Sequence, residues 1–527
     1  MRKLLAVVLA AFLLIPVLAA CGEEPAGSDW ETVAKTKLTV YMGGNEGNNA
    51  RDNQEVAEAL AKKFYEDTGN AVELDFTIYS NADFSQMVGL NLADSSQNLD
   101  GIYYHMGDTD GINVYVKDGT ALDITDLLDQ YGPNIKEKLG EELEVFQVAR
   151  RQMGITGQAN RRTYGLLIRK DWLDEAVAAG QVTLSGESGL PETIEEFNQM
   201  LRAFKARGSG MVPMVGQPWD VESIFAGAFD TVQYFNFFED ADGKLSLGYL
   251  HPNREKLLKQ MYDWSSEGLW DRDNKTTSQE DADRYWLSGK TGVYCFYPDA
   301  THLAAVSMKL KVNEPDAELA VLPPLTGPDG ACKGYIEGNY TGLIIPKKSQ
   351  NAALLIQYID WLWSDVENYE LAAYGIEGKH WTDAGEGLRG FPNKAAENLY
   401  RTNPPYVNKY LLIPNASISD RILDIYDEQE RQIFADIKSF QYQECVGMDM
   451  LFPDLTDQNI KTAIDLQVTE MKTLLEKIWA GIQNPSEVQG SGKSVFQSRV
   501  DDFALNGEAY LNWLDNQYQL ILTYREM

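Results

Sequence analysis

Histidine and cysteine are scarce, with four of each in 527 residues. His105, His251, His302 and His380 stand far apart, and no His-Glu-x-x-His or Cys-x-x-Cys spacing occurs. A zinc centre needs such clustering, so no zinc site is expected. DADG at 240–243 and DRDN at 271–274 carry calcium-like acids, but neither runs on to the closing glutamate of a complete calcium loop. Positive charge is also short. Lys and Arg number 46 against 79 Asp and Glu, for a net charge of −33. Nucleic acid and anionic lipid surfaces are bound by clustered cations, so neither is expected as a partner. Phosphate-binding glycines are missing where they are needed. GSGKS at 490–494 has Glu487 where a P-loop requires glycine, and SGKT at 288–291 has Arg284. A P-loop also needs a strand in front, whereas a predicted helix and Asn-Pro precede GSGKS. No Gly-x-Ser-x-Gly elbow occurs. No cofactor is expected.

The N-terminus carries what the rest lacks. Arg2 and Lys3 precede an apolar run from Leu4 to Ala20, broken only by Pro16, and the chain then turns acidic and small in GEEPAGSD. That pattern predicts a secretory signal over 1–20. It is marginal as a membrane span, which takes roughly 20 apolar residues. Leu18-Ala19-Ala20-Cys21 resembles the lipobox of bacterial lipoproteins. The resemblance implies cleavage before Cys21, a lipid on its thiol, and a tether over 21–36 on the outer face of the cytoplasmic membrane. Cys295, Cys332 and Cys445 remain, an odd number that excludes a complete disulfide framework. Cys295 and Cys332 could pair; three buried thiols is the reading preferred here.

Strands and helices alternate along the chain. KLTVY at 37–41 reads as a strand, and QEVAEALAKKFYEDT at 54–68 as a helix with Val56, Ala59, Leu60 and Phe64 at helical spacing and Gly69 beyond its end. AVELDFTIY at 71–79 has strand alternation. LPETIEEFNQMLRAFK predicts a helix from Pro191, with Glu192, Glu195 and Glu196 in its first turn. FFEDADGKLSLGYL predicts a hairpin at Asp-Gly. From about 415 the chain reads as mostly helical, in three segments at 418–440, 460–482 and 506–522. Strands separated by helices predict a parallel sheet with helices on its faces.

YGLLIRKDWLDEA, LPETIEEFNQMLRAFK, EGLWDRDN, SGKTGVY, LPPLTGPDG and YGIEGKHW follow one another in that order. This series resembles the extracellular solute-binding proteins of bacterial ABC importers, above all the large oligosaccharide-binding lipoproteins and, more remotely, the maltose-binding type. The resemblance implies an α/β, two-lobed periplasmic-binding-protein type II fold with a hinge, an interlobe cleft and a C-terminal helical extension. It implies a first lobe of 37–165 with 342–385, and a second of 166–341 with 386–527. It further implies a monomeric receptor, not an enzyme, that closes on an oligosaccharide and delivers it to permease subunits. In many relatives the loop after the AFK helix is acidic and looks calcium-binding. Here ARGSGMVP carries no carboxylate between Lys205 and Pro213.

A sugar offers hydroxyls and an apolar face, so its receptor needs planar aromatics and polar side chains at the C-terminal ends of parallel strands. That places Asn45 and Glu46 after the first strand, Tyr104 and His105 after the third, Gln217 and Trp219 after MVPMVG, and Tyr297 and Asp299 after GVYCF. Tyr340 stands at the last predicted crossing, and Trp381 follows YGIEGKH in a region that resembles a cleft segment of the family. Each has a bland counterpart: a tryptophan is more often core than platform, and Trp219 and Trp381 stand as candidates because both sit in loop-like sequence. Trp172, Trp264, Trp361, Trp363 and Trp479, on apolar helix faces, are expected in the core. Arg150, Arg151, Arg161 and Arg162 form a basic cluster that reads as a solvated face, or alternatively as a uronate contact. A secreted glycoside hydrolase and a receptor for another solute, such as a peptide, are the competing readings. Carboxylate pairs leave little trace in a chain this acidic.

Overall fold

The computed structural model describes residues 30–44, 54–106, 111–148, 150–157, 164–296, 299–336, 341–402, 409–443, 445–446, 450, 452 and 455–526. The signal, Cys21, Asn45, Glu46, Tyr297, Tyr340, Arg161 and Arg162 lie outside them.

Eleven strands position the site: β1 (Thr36–Gly44), β2 (Val72–Ser80), β3 (Gly101–His105), β4 (Ile155–Thr156), β5 (Leu166–Arg169), β6 (Met214–Gly216), β7 (Val293–Cys295), β8 (Leu319–Leu322), β9 (Tyr335–Ile336), β10 (Thr341–Ile344) and β11 (Tyr442–Gln443). The first lobe is built on a sheet of order β2-β1-β3-β10-β4. β1 is parallel to β2 and β3, and β10 runs antiparallel to β3 and β4. The second lobe has the order β8-β5-β7-β6, with β6 and β7 parallel and β5 antiparallel to its neighbours. Sequence period decides which face each residue serves. In β5, Leu166 and Ile168 enter one apolar cluster, while Leu167 between them enters another on the opposite face. The helix at Gln54–Thr68 buries Val56, Leu60, Ala61 and Phe64 against the first sheet, and Gly69 follows it at φ +77°.

Two helices differ from their sequence reading, both at the N-terminus. The helix expected from Pro191 begins at Ile194. Thr193 accepts a hydrogen bond from Glu196 N, and the Glu196 carboxylate accepts from the Thr193 and Glu192 amides, so a capping box fixes the start. In the segment read as a helix over 418–440, Ile422–Leu423 is a short strand and the helix runs Glu428–Ser439, opened by an Asp427–Glu430 capping box. The later helices, Gln458–Trp479, Val495–Asn506 and Glu508–Glu526, pack on the second lobe through Met471, Leu475, Ile478, Trp479, Phe496, Phe503, Leu514 and Tyr518. The GSGKS string is the loop before the second of these, where Ser494 caps the helix and donates to Glu255.

Packing brings one segment beyond the expected division at 385/386 to the first lobe. Tyr410 to Ile413 are buried in the first lobe's core, where Tyr358 Oη donates to Tyr410 O at 2.8 Å and the Tyr410 ring lies 5.9 Å from that of Phe76. The apolar run KYLLI finds its complementary surface there. Among the described residues the chain therefore leaves the first lobe's core after Thr156, returns to it after Ile336 and leaves it again after Ile413, while Phe391 between the last two packs on the second lobe's opposite apolar face. Cys332 is exposed, not buried as preferred, and Cys295, Cys332 and Cys445 are all free thiols.

Candidate functional site

The lobe-to-lobe passages gather at one edge of each sheet. In the first lobe this edge holds the ends of β1, β3 and β4 and the start of β10. In the second it holds the ends of β6, β7 and β8 and the start of β5. Three contacts lie at the passages. A Cβ on Gly157 would fall 1.8 Å from Pro414 O, so the first and third passages touch backbone to backbone. β9 pairs in parallel with β11. Tyr442, in β11, donates from Oη to Tyr164 O at 2.7 Å.

On the first lobe's edge, the Tyr104 ring covers Gly43, whose added Cβ would sit 2.2 Å from Cδ2, and it lies 4.5 Å from Phe84 and 4.1 Å from His105. Glycine is required at 43 because any side chain would displace this ring. Tyr103 and Thr341, absent from the sequence candidates, meet here across β3 and β10, Oη to Oγ1 at 2.9 Å. The strand alternation that placed Tyr104 on one face put Tyr103 on the other, and only the pairing with β10 reveals its partner.

On the second lobe's edge, Gln217 and Trp219 directly follow β6. The backbone carbonyl of Trp219 accepts from Ser223 Oγ at 2.8 Å and from Gln233 Nε2 at 2.9 Å, which fixes the first turn of the helix at Pro218–Phe225. Its indole is half-buried and belongs to none of the apolar clusters. Every other tryptophan lies in one or packs against one: Trp172, Trp264, Trp270 and Trp479 in the second lobe, Trp286 on its opposite face, Trp361, Trp363 and Trp381 in the first, with Trp30 and Trp513 at the margins. Asp299 caps the helix at Ala300–Asn313 by accepting from His302 N at 3.1 Å, and it bridges to Tyr164 at the first passage. Beneath it, Tyr294 Oη donates to Asp283 Oδ1 at 2.6 Å and so receives the Nε2 proton of His302 at 2.8 Å. Burial pulls the His302 imidazole below its usual range, holding it neutral in that tautomer.

Trp381 is a different case. It is 3 % exposed, its Nε1 donates to Gly375 O at 2.9 Å, and its ring is flanked by Tyr374 at 5.6 Å and the Arg421 guanidinium at 5.3 Å. The loop YGIEGKHW folds back on itself through Gly378 N to Trp381 O and Ile376 N to His380 Nδ1. In this conformation the ring presents no face to a ligand. Arg150 and Arg151 are exposed in a short hairpin between Gln147–Val148 and Arg151–Gln152. Among the described residues, no three His, Cys, Asp or Glu side chains are grouped to hold a metal ion, and no helix is long and apolar enough to cross a membrane.

Residues 48–368 match the family model described as bacterial extracellular solute-binding protein. The fructooligosaccharide ABC transporter substrate-binding protein FusA of Streptococcus pneumoniae is 24% identical over 397 residues, 68% of each chain. The N-glycan transport solute-binding protein NgtS of Streptococcus pneumoniae has a TM-score of 0.65 at 16% identity, covering 93% of this chain and 99% of that one. An HMO-binding, ABC-transporter-associated solute-binding protein from Bifidobacterium longum infantis gives 0.64 at 14%, covering 94% and 99%. The alginate-binding protein AlgQ2 gives 0.62 at 16%, covering 92% and 98%. These likenesses fix a two-lobed solute-binding fold.

Proposed function

We propose, from the premise that this chain belongs to the bacterial extracellular solute-binding protein family, that it is the receptor of an ABC importer. In this reading it captures an oligosaccharide between its lobes and presents it to a membrane permease, without chemical change to the ligand. The observation that carries the reading is Trp219. It is the one tryptophan held out of every apolar cluster, and it stands at a strand end on the interlobe edge. A planar ring left out of the core suits the apolar face of a sugar. Gln217 beside it, and Tyr104 and His105 on the first lobe's edge, supply polar contacts as the lobes close about the three passages. Asp299 lies at the same edge as a further acceptor. The names of the relatives point the same way, since FusA is a fructooligosaccharide protein and NgtS an N-glycan protein. Lipid on Cys21 would hold the receptor as a monomer at the outer face of the membrane.

The test is a thermal-shift screen of the chain beginning after Cys21, against neutral glycans, uronate glycans, peptides and amino acids, with the glycans checked afterwards for cleavage. A ligand at 100 times its dissociation constant stabilises by about 2.7 kcal/mol. A shift with intact glycan supports the proposal, a shift with peptide alone overturns the substrate class, and cleavage overturns the receptor role. Trp219→Ala is expected to weaken glycan binding by about 1–3 kcal/mol, the contribution of a buried aromatic contact. Undiminished affinity in the folded variant would remove Trp219 from the site.

A further inference from the structure

DRDNKTT, at 271–277, lacks the closing glutamate of a complete calcium loop, and the structure gives it another task. Asp271 N donates to Met214 O at 3.1 Å, and Trp270 Nε1 donates to Gly216 O at 2.9 Å, so the segment is fastened along the whole of β6. Asp271 is 7 % exposed, and its Oδ2 accepts from Thr277 Oγ1 at 2.6 Å. Thr277 N also donates to Asp273 O at 2.9 Å. Held in this way, the Thr277 carbonyl accepts from Gln217 Nε2 at 3.0 Å.

That single bond decides which way the Gln217 amide faces. A carbonyl oxygen can only accept, so Nε2 must point at Thr277 and Oε1 must point away. Oε1 is shielded from water and has no donor among the described residues, although the side chain as a whole is only half-buried at the strand end. The backbone beneath it runs close against β7, since a Cβ on Gly216 would lie 2.1 Å from Cys295 O. An amide oxygen fixed in orientation, without a partner among the described residues and beside Trp219 is an acceptor awaiting a donor. Asp220, 3 % exposed, and Asp299 put two carboxylates on the same edge.

We infer that Gln217 is a specificity-determining acceptor for a hydroxyl of the ligand, that Thr277 and Asp271 are its positioning residues, and that this edge therefore selects neutral saccharides over uronates. The inference rests on the oligosaccharide reading above. A sugar hydroxyl donates to Oε1. A uronate carboxylate cannot, and it meets the acceptors of Gln217, Asp220 and Asp299 with charge of the same sign.

The experiment is isothermal titration of the chain beginning after Cys21. The probes are neutral fructo-, manno-, gluco-, galacto- and xylo-oligosaccharides on one side and oligoalginate and oligogalacturonate on the other. Wild type is expected to bind its best neutral glycan at least 10-fold tighter than either uronate. Gln217→Met, which keeps the shape and removes the acceptor, is expected to lower that affinity roughly 10- to 100-fold while leaving the melting temperature within a few degrees. Thr277→Val keeps the carbonyl but removes the Oγ1 bond to Asp271 that positions it; it should narrow the neutral-to-uronate ratio, and Thr277→Ser should keep that ratio, which a merely structural role would not produce. A uronate bound as tightly as any neutral glycan overturns the inference and leaves the receptor reading standing. So does a folded Gln217→Met with unchanged affinity. Binding to no glycan at all overturns the oligosaccharide reading, and this inference with it.

Discussion

Arg254 and Glu222 form an ion pair in the core of the second lobe, with both side chains 0 % exposed. Arg254 donates from Nη2 to Glu222 Oε1 at 2.6 Å and from Nη1 to Val232 O at 3.0 Å, and Glu222 Oε2 accepts from Tyr234 N at 3.1 Å. Arg254→Met keeps most of the buried stem and removes the guanidinium. Glu222 then loses its charged partner and keeps only neutral donors, the Tyr234 amide among them, and Val232 O loses the guanidinium. Breaking one side of a buried pair costs about 3–5 kcal/mol, which for a lobe of this size lowers its melting temperature by roughly 6–20 °C. The double variant Glu222→Met/Arg254→Met removes both charges and is expected to be more stable than Arg254→Met alone. The pH dependence has a definite sign. Burial already raises the Glu222 carboxyl above its usual range, against the opposing pull of Arg254. Without Arg254 that rise is larger. A folded-state pKa above the unfolded one gives stability that is full below the unfolded value and is lost as pH rises through the folded value. The deficit of Arg254→Met relative to wild type must therefore grow from pH 5 to pH 8. The assay is unfolding of the intact ligand-free chain, followed by tryptophan fluorescence at several pH values. A single variant as stable as wild type, a double variant less stable than Arg254→Met, or a deficit that shrinks with rising pH would refute the reasoning.

Gly157→Ala places a methyl 1.8 Å from Pro414 O, and backbone cannot yield there. The variant should alter ligand affinity and small-angle scattering of the free protein together, by forcing two passages apart; unchanged scattering counts against a hinge role. Burial pulls His251 down to about 4, with the Asn253 amide donating to its Nδ1 at 3.2 Å. Its folded-state pKa lies below the unfolded one, so the stability it contributes is full above about 6.5 and is lost as pH falls towards 4. His251→Leu should flatten the melting temperature over that window, and an equal slope in wild type and variant disproves it. Cys21→Ser should release the chain from the membrane fraction with ligand affinity unchanged, since one lipid-modified residue supplies the anchor; retention in that fraction contradicts the lipobox.

Much of the architecture was already readable as a sequence. Val56, Leu60 and Phe64 recur at the helical period, and Val72, Leu74, Phe76 and Ile78 at the strand period, because periodicity is what burying one face demands. The Asp-Gly hairpin falls where turn chemistry puts it, with Gly243 at φ +74° between Phe237–Glu239 and Leu245–Leu247. Caps were harder. Thr193 could be recognised only with Glu196 in view, and Ser494 was hidden by a string resembling a phosphate loop. Loops carry no period, so Trp219 and Trp381 looked alike: each follows small or polar residues. Contacts distant in sequence separate them. Arg421 closes over Trp381 from 40 positions away, while nothing in the apolar clusters claims Trp219. Tyr410 to Ile413 likewise return to the first lobe because their apolar partners, Tyr358 and Phe76, lie there. By itself, then, the sequence determined most of the elements, their alternation and the strand ends at which a ligand could meet polar and aromatic groups, since local pattern encodes these, while the two lobes were implied by the family resemblance. Which of those groups are spent on the core, and which way the Gln217 amide points, was decided by tertiary structure alone, because both depend on partners that the chain brings near only by folding.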